Sequence, residues 1–234
     1  MHYVALNLEG ALQSWGDSSR FRTRRTRAVP TKSGIVGLIC AALGRSRDDD
    51  ITDVAKLRLA VRTERPGTII EDFHTAREYG AENSNLSRRH YLSDARFIAL
   101  VGTEDKSFAD EIAAALQRPV FAPSLGRRAC VPSAPVFYGQ FEADSFFEVF
   151  DRIDARDGIE TVAKPVERDA EPGEAHHARL HDVPVSFSDA DRGWIWRGVV
   201  TETHGENVAS TPKADFASAG SVDFLLSLIH ISEP

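Results

Sequence analysis

Apolar and polar residues alternate at the start of the chain. In residues 2–9, Val4, Leu6 and Leu8 fall on one side and Tyr3, Ala5 and Asn7 on the other, the two-residue period of a half-buried strand. Residues 10–29 are polar and arginine-rich and read as a loop. Pro30, Thr31, Lys32 and Ser33 supply helix-start signals, residues 35–43 carry an apolar run, and Gly44 is a natural stop, so the pattern predicts a helix there. Alternation returns over residues 57–63 and 95–101, with a short extended piece at 68–73. Residues 76–89 are polar and lack a core pattern, so they are expected to project or move. A second helix is predicted over 107–117, capped by Ser107, with Phe108, Ile112, Ala115 and Leu116 as its apolar stripe. A proline-containing basic loop follows over 118–135, then a strand over 135–141.

The resulting order, β-α-β-(insertion)-β-α-β, is the split pattern of an α+β, ferredoxin-like, RRM-type domain. It sets three regions: residues 1–141 as the core domain with an insertion at about 74–92, residues 142–203 as an acidic connector and C-terminal strands packing on it, and residues 204–234 as an irregular tail. The acidic stretch 151–174 contains Pro165, Pro172 and Gly173, and residues 183–187 and 194–200 pair as a terminal hairpin. Beyond Thr203 the pattern fades until an apolar octapeptide, FLLSLIHI, at 224–231. Residues 227–234 admit two readings: a non-native scar, or a final helix docking on the core or a partner.

With 234 residues, 42% of them hydrophobic, the chain is long enough to bury a sizeable core. No apolar run approaches the roughly 20 residues that cross a bilayer, and the first ten residues lack the marks of a signal peptide, so no membrane association is expected. Two cysteines, Cys40 and Cys130, make neither a disulfide framework nor a zinc site, and a reducing cytoplasm is the expected location.

Charge changes the picture. The chain carries a formal −7, yet residues 1–47 hold eight basic and two acidic residues, a local +6 that leaves −13 for the remainder. Five of the eight are Arg20, Arg22, Arg24, Arg25 and Arg27, with no acidic residue among them. An acidic chain with one concentrated basic region binds a polyanion there, because binding follows the local field; the alternative is a solvated charged loop.

The run PTKSG at residues 30–34 invites a phosphate. A triphosphate loop needs glycines ahead of its lysine, and the nearest is Gly16, so that reading fails. What remains is a helix start whose free N–H groups, with Lys32 and the Ser33 hydroxyl beside them, suit a single phosphate such as one in a nucleic-acid backbone. Gly34 and Gly37 also allow close helix packing, and both readings hold together. The chain lacks a nucleophile elbow and a dinucleotide fingerprint, and no cofactor is expected.

Metal-independent RNA cleavage would draw on His74, His90, Tyr79, Tyr91 and Lys32, with His74 and His90 meeting if the insertion folds as a hairpin. His176, His177 and His181 lie close in sequence, but their stretch is acidic, loop-like and without cysteine, and no metal is expected. Arg88, Arg89, His90 and Tyr91 combine phosphate-gripping and base-stacking groups, and Arg127 and Arg128 form a further basic turn.

Four segments in order, LQSWG at 12–16, RAVPTKSGIVGLICAALG at 27–44, RRHYLSDARF at 88–97 and PSLGRRACVPSAPVF at 123–137, resemble the Cas-five family of CRISPR-associated proteins in the form that serves the type I-E surveillance complex, Cascade. The resemblance covers residues 2–141 and continues more loosely to 200. It implies a ferredoxin-like palm of the RAMP type with a protruding thumb β-hairpin. It further implies a non-catalytic subunit that caps the 5′ handle of the CRISPR RNA, packs against the backbone subunit and the large PAM-recognising subunit, and meets target DNA only through the complex. A related type I-C member processes RNA, which keeps a metal-independent endoribonuclease as the alternative. By this likeness the RNA-binding residues are Gln13, Trp15, Lys32, Ser33, Arg89 and Tyr91, with Arg20, Arg22 and Arg127 added on charge and neighbourhood. No catalytic residue is implied.

Overall fold

The computed structural model describes residues 1–16, 23–77, 85–158 and 163–205. Strand β1 (His2–Glu9) opens the chain, followed by two short strands, β2 (Leu12–Gln13) and β3 (Thr23–Arg24). Helix α1 (Lys32–Leu43) starts at Thr31, whose hydroxyl accepts the Gly34 N–H at 3.3 Å, and ends at Gly44, left-handed at φ 81° with its N–H directed to the last-turn carbonyls. A single turn, α2 (Thr52–Ala55), leads to β4 (Arg58–Arg65). Then come β5 (Thr68–Ala76), β6 (Asn85–Ser93), β7 (Arg96–Thr103), α3 (Lys106–Gln117), β8 (Phe137–Glu142), α4 (Phe146–Asp157), β9 (Lys164–Asp169), β10 (Ala178–Ser186) and β11 (Gly193–His204).

The main sheet has seven strands in the order β10-β11-β9-β4-β7-β1-β8, with every neighbouring pair antiparallel. Within it β8-β1-β7-β4 carries the four strands expected of the first 141 residues. A second sheet is built on β6, which pairs β2, β3 and β5. β5 and β6 form a nine-rung hairpin from Thr68↔Ser93 to Ala76↔Asn85. It is longer than the expected insertion at 74–92. Tyr79, Arg20, Arg22 and the tail from 206 onward lie outside the described residues.

Three expectations are corrected. First, β1 is not half-buried: Tyr3 and Ala5 are as enclosed as Val4, Leu6 and Leu8. α1 and α3 cover one face of the sheet, and α4 covers the other, where Phe146, Phe150 and Ile153 meet Tyr3, Ala5, Ile98 and Leu100. Burial of each such large side chain contributes about 1.5–3 kcal/mol. Second, α3 is capped by Asp105, not Ser107. The Asp105 carboxylate accepts the Ser107 and Phe108 N–H groups at 2.8 and 3.2 Å, and Ser107 is already inside the helix.

Third, residues 151–174 are not a connector packing on the core. They contain the end of α4 and all of β9, which enters the sheet between β4 and β11. The helix is dictated by Phe146, Val149, Phe150 and Ile153 at helical spacing behind a Ser145 cap. Its one deeply buried charge, Asp154, is neutralised by a bidentate bond from Arg62 at 2.7 and 2.9 Å, and the Arg62 guanidinium lies over the Phe150 ring. Among the described residues no helix is long and apolar enough to cross a membrane.

Candidate nucleic-acid interface

The segment after β1 is pinned across the start of α1 by Trp15. Its backbone N–H donates to Thr26 Oγ1 and its carbonyl accepts the Arg27 N–H, both at 2.8 Å. The indole Nε1 donates to Gln13 Oε1 at 2.9 Å, and Gln13 Nε2 donates to the Leu8 and Ala95 carbonyls. Both side chains are 0% exposed. Gln13 and Trp15 therefore do not present themselves to a ligand, contrary to the expectation, because their polar atoms are consumed by the frame. α1 presses against this frame through Gly34, where a Cβ would lie 2.7 Å from the Trp15 ring.

Lys32 is also turned inward. Its Nζ binds Asp169 Oδ2 at 2.8 Å with 9% of the side chain exposed. Its backbone N–H, one of the free donors at the helix start, is taken by Asp182 Oδ2 at 2.9 Å. Arg197 closes the cluster, reaching Asp182 through Nε and Nη2 and Asp169 through Nη1. Burial pushes the Asp182 carboxyl up, but the Arg197 guanidinium and the Lys32 amide outweigh it and hold the group below the usual carboxylate range. Arg197 is buried too, yet its two carboxylate partners raise its pKa and keep it charged. The phosphate-type helix start is thus occupied by an internal carboxylate, which satisfies the same dipole.

The ligand-sized space lies on the outer side of this helix turn. A cavity of about 470 Å³ is lined by Ser14, Gly16, Thr31, Ser33 and Gly34 on one side and by Arg24, Arg25, Gly126 and Arg127 on the other. A second, of about 840 Å³, continues from it over Leu38, Cys40, Ala41 and Phe121 to Arg45, Arg47 and Arg128. The two share Ser33, Gly34, Gly126, Phe187, Arg192 and Trp194, so they form one groove. Among the described residues no aspartate or glutamate lines either part. Arg45 is bound to Asp53, and Arg47 and Arg192 to Asp189. Arg24, Arg25, Arg127 and Arg128 have no carboxylate within ion-pair distance among the described residues. A groove that shows no carboxylate among the described residues, with the Arg24, Arg25 and Arg128 guanidinium groups and half-buried aromatic rings along it, is suited to a single-stranded polyanion whose bases stack.

Gly126 sets the groove's far wall. Its φ is +90°, and a Cβ there would sit 1.8 Å from the Ser14 carbonyl oxygen. The turn it makes aims Arg127 at three backbone and ring partners: Nη1 donates to His90 O at 3.0 Å, Nη2 to Arg24 O at 2.8 Å, and the guanidinium lies 4.7 Å over the Tyr91 ring. Tyr91 is 7% exposed and serves as the platform beneath Arg127 rather than as an open stacking surface, again unlike the expectation. Arg89, beside Arg24 in the β3–β6 pairing, has a buried Nε with no hydrogen-bond partner among the described residues.

His74 and His90 do not converge. The hairpin register sets His74 opposite Ser87 and His90 opposite Glu71, three rungs apart and on opposite faces. His90 Nε2 instead contacts Glu71 Oε2 at 2.9 Å. Cys40 lines the larger cavity, but burial pushes its thiol up to about 11, so it is not a thiolate near neutral pH. Among the described residues no three histidine, cysteine, aspartate or glutamate side chains gather as metal ligands. His181 packs on Trp196, and His177 Nδ1 accepts the Thr201 N–H.

Of the expected residues, Ser33 and Arg127 line the groove, while Arg89 lies next to Arg24 on the paired strand. Arg24, Arg25 and Arg128 were visible as charge but not singled out. Phe187, Arg192 and Trp194 sit at the β10–β11 turn, which tertiary links bring to α1, among them Lys32 with Asp182 and Arg47 with Asp189.

A family model described as CRISPR-associated protein (Cas_Cas5) matches residues 3–219. The CRISPR system Cascade subunit CasD of Escherichia coli strain K12 is 35% identical over 161 residues, which is 60% of this chain and 72% of that protein. Among solved structures, a chain of a CRISPR RNA-guided surveillance complex superposes with a TM-score of 0.72 at 28% identity, covering 87% of this chain and 90% of that one. The crystal structure of a Cas protein gives 0.65 at 30% identity, covering 87% and 95%. With the family match spanning most of its length, and a mixed α/β, mostly antiparallel fold like those of its solved relatives, this chain belongs to the Cas5 family of CRISPR-associated proteins.

Proposed function

We propose that this chain is the Cascade subunit that holds the 5′ handle of a CRISPR RNA, without cutting it, in the groove between α1, the Arg24–Arg25 segment and the Gly126 turn. The observation that carries the reading is that, among the described residues, no carboxylate lines a groove that presents Arg24, Arg25 and Arg128, in a chain of net charge −7. Such segregation of charge stabilises a polyanion locally and has no use in folding. The orphaned Arg89 Nε supports it, since a buried donor without an acceptor costs about 1–3 kcal/mol unless a ligand satisfies it. The resemblance to CasD and to a chain of an RNA-guided surveillance complex supports assembly with a backbone subunit and a large PAM-recognising subunit, with target DNA met through the complex.

On this reading the β8-β1-β7-β4 part of the sheet with α1 and α3 is a ferredoxin-like palm, and the β5–β6 hairpin is its thumb. The hairpin exposes Ile69, Ile70, Phe73 and Leu86, apolar surface suited to a partner subunit. Gln13, Trp15 and Lys32 act by positioning: they fix the α1 start and the segment that carries Arg24 and Arg25. The offset of His74 from His90 supports binding over cleavage, because acid–base chemistry needs both groups at one phosphate.

The test is fluorescence anisotropy with labelled handle RNA. The Arg24→Ala/Arg25→Ala double variant is expected to bind roughly tenfold or more weakly with an unchanged melting temperature. Incubation of the native protein with repeat RNA in EDTA should leave the RNA intact. Unchanged affinity in the double variant would remove the groove from the binding site, and specific cleavage would restore the endoribonuclease alternative.

A further inference from the structure

Asp189 stands on the turn between β10 and β11, with its side chain 80% exposed. One of its oxygens, Oδ1, meets two guanidinium groups that line the larger cavity. Arg192 Nη2 comes from the same turn, and Arg47 Nη1, at 3.5 Å, from the segment after α1. Asp189 itself lines neither cavity. Its carboxylate therefore joins two walls of the groove from the rim.

The other ion pair in this part of the groove is of a different kind. Asp53 takes Arg45 through both carboxylate oxygens and also accepts the Val54 N–H, while Arg45 donates to the Asp50 carbonyl. The Arg45 guanidinium holds the Asp53 carboxyl below the usual carboxylate range, so this pair belongs to the frame around α2. The partners of Asp189 are instead open to solvent, Arg47 at 66% and Arg192 at 41%, and exposed pairs of this kind are weakly held. The fold does not depend on them. The Ser186 and Ser188 hydroxyls accept the Ser188 and Ala190 N–H groups and shape the turn, and the Lys32–Asp182 bond keeps the hairpin on α1.

A carboxylate oxygen shared by two guanidinium groups stands where a phosphate oxygen would stand. A phosphodiester carries the same single charge and the same kind of acceptor. A strand already held by Arg24, Arg25 and Arg128 presents its next phosphates at high effective concentration, so it can displace a weakly held side chain. We infer that Arg47 and Arg192 form a further phosphate site of the groove, which Asp189 fills in the free protein and yields to the RNA backbone. Resting on the groove reading above, this assignment makes Asp189 an internal competitor that lowers the affinity of the groove for its strand. Asp191 supplies the control: it lies two residues away on the same turn, carries the same charge, and makes no ion pair among the described residues.

The experiment titrates labelled handle RNA into the full chain and its variants by fluorescence anisotropy. Asp189→Asn should tighten binding about fivefold with an unchanged melting temperature, because the two arginines no longer give up a charged partner. Asp191→Asn should change binding much less. Arg47→Ala/Arg192→Ala should weaken it, and adding Asp189→Asn to that pair should gain no more than Asp191→Asn does. Unchanged or weaker binding in Asp189→Asn overturns the inference. So does an equal gain from Asp191→Asn, or a fivefold gain that survives the loss of both arginines, since either would be a general effect of charge. Failure of Arg24→Ala/Arg25→Ala to weaken the RNA would instead remove the groove reading.

Discussion

The backbone N–H of Lys32 donates to the carboxylate of Asp182 at 2.9 Å across 150 residues of chain. This bond joins the start of α1 to the C-terminal hairpin that carries Phe187 and Trp194 over the groove. Asp182 is 1% exposed and is the main partner of the buried Arg197. Asp182→Ala removes two of the three hydrogen bonds that hold the buried Arg197, leaving Asp169 as its near carboxylate partner, and should cost about 3 kcal/mol in urea unfolding. The sign of the acid response follows from the lowered carboxyl pKa. Its stabilisation is fully present above the unfolded value of about 3.9 and is lost as pH falls through the folded value. The melting temperature should therefore drop below about pH 4, and Asp182→Asn should flatten that acid limb; an identical acid profile in Asp182→Asn would contradict it.

Gly126 and Gly158 give a matched pair of substitutions. Both have positive φ, but an alanine at 126 meets the Ser14 carbonyl oxygen at 1.8 Å, whereas one at 158 meets nothing within 4 Å. Gly158→Ala should cost about 1–2 kcal/mol for the left-handed backbone alone. Gly126→Ala should cost more in thermal unfolding and should also weaken RNA binding, because the turn carrying Arg127 and Arg128 must shift. Equal effects on stability would show that the Ser14 contact yields easily.

Trp15 fills the space between the basic segment and α1. Its removal as Trp15→Ala should cost about 3–5 kcal/mol, the range for a buried aromatic. Trp15→Phe restores most of the volume but leaves Gln13 Oε1 without its donor, a loss of about 1–3 kcal/mol. Calorimetric melts of the two variants separate packing from the hydrogen bond, and a Trp15→Phe variant as stable as the native chain would deny the bond its role.

Cys40 and Cys130 should resist alkylation in the folded protein. Both are buried, and burial raises both thiols, Cys40 to about 11. Mass spectrometry after iodoacetamide near neutral pH is expected to find both free until denaturant is added; rapid native labelling of Cys40 would mean the larger cavity opens to reagents.

The four long strands of the main sheet and helices α1 and α3 within the first 141 residues were legible because each carries its own signal, whereas β2, β3, α2 and β6 lie in stretches that read as polar or patternless. Alternation marks β1, β4 and β7, and Thr31 and Gly44 bracket α1. The signal for α4 was present too, in Ser145 followed by Phe146, Val149, Phe150 and Ile153, but it lies within a run of acidic residues that reads as a solvated connector. What Asp154 does there depends on Arg62, which no local pattern reveals. The same limit applies to the site. Arginine density located one wall of the groove. Lys32 looked like a phosphate ligand because its partners Asp169 and Asp182 are distant in sequence, and Trp15 looked available because an indole in a polar loop gives no sign of being buried. Phe187 and Trp194 reach α1 through sheet order and long-range contacts such as Lys32 with Asp182, which no local pattern shows.

The groove stands or falls on how RNA affinity depends on salt. Binding of labelled handle RNA should be followed over a range of salt concentrations for the native chain, Arg128→Ala and Arg24→Ala/Arg25→Ala. For a single strand, each neutralised phosphate contributes about −0.7 to the slope of log K against log salt. A steep native slope that shallows by about 0.7 in Arg128→Ala, and by about twice that in the double variant, is the expected result. A slope near zero, or one that the three proteins share, would mean that the arginines of the groove do not hold the RNA backbone.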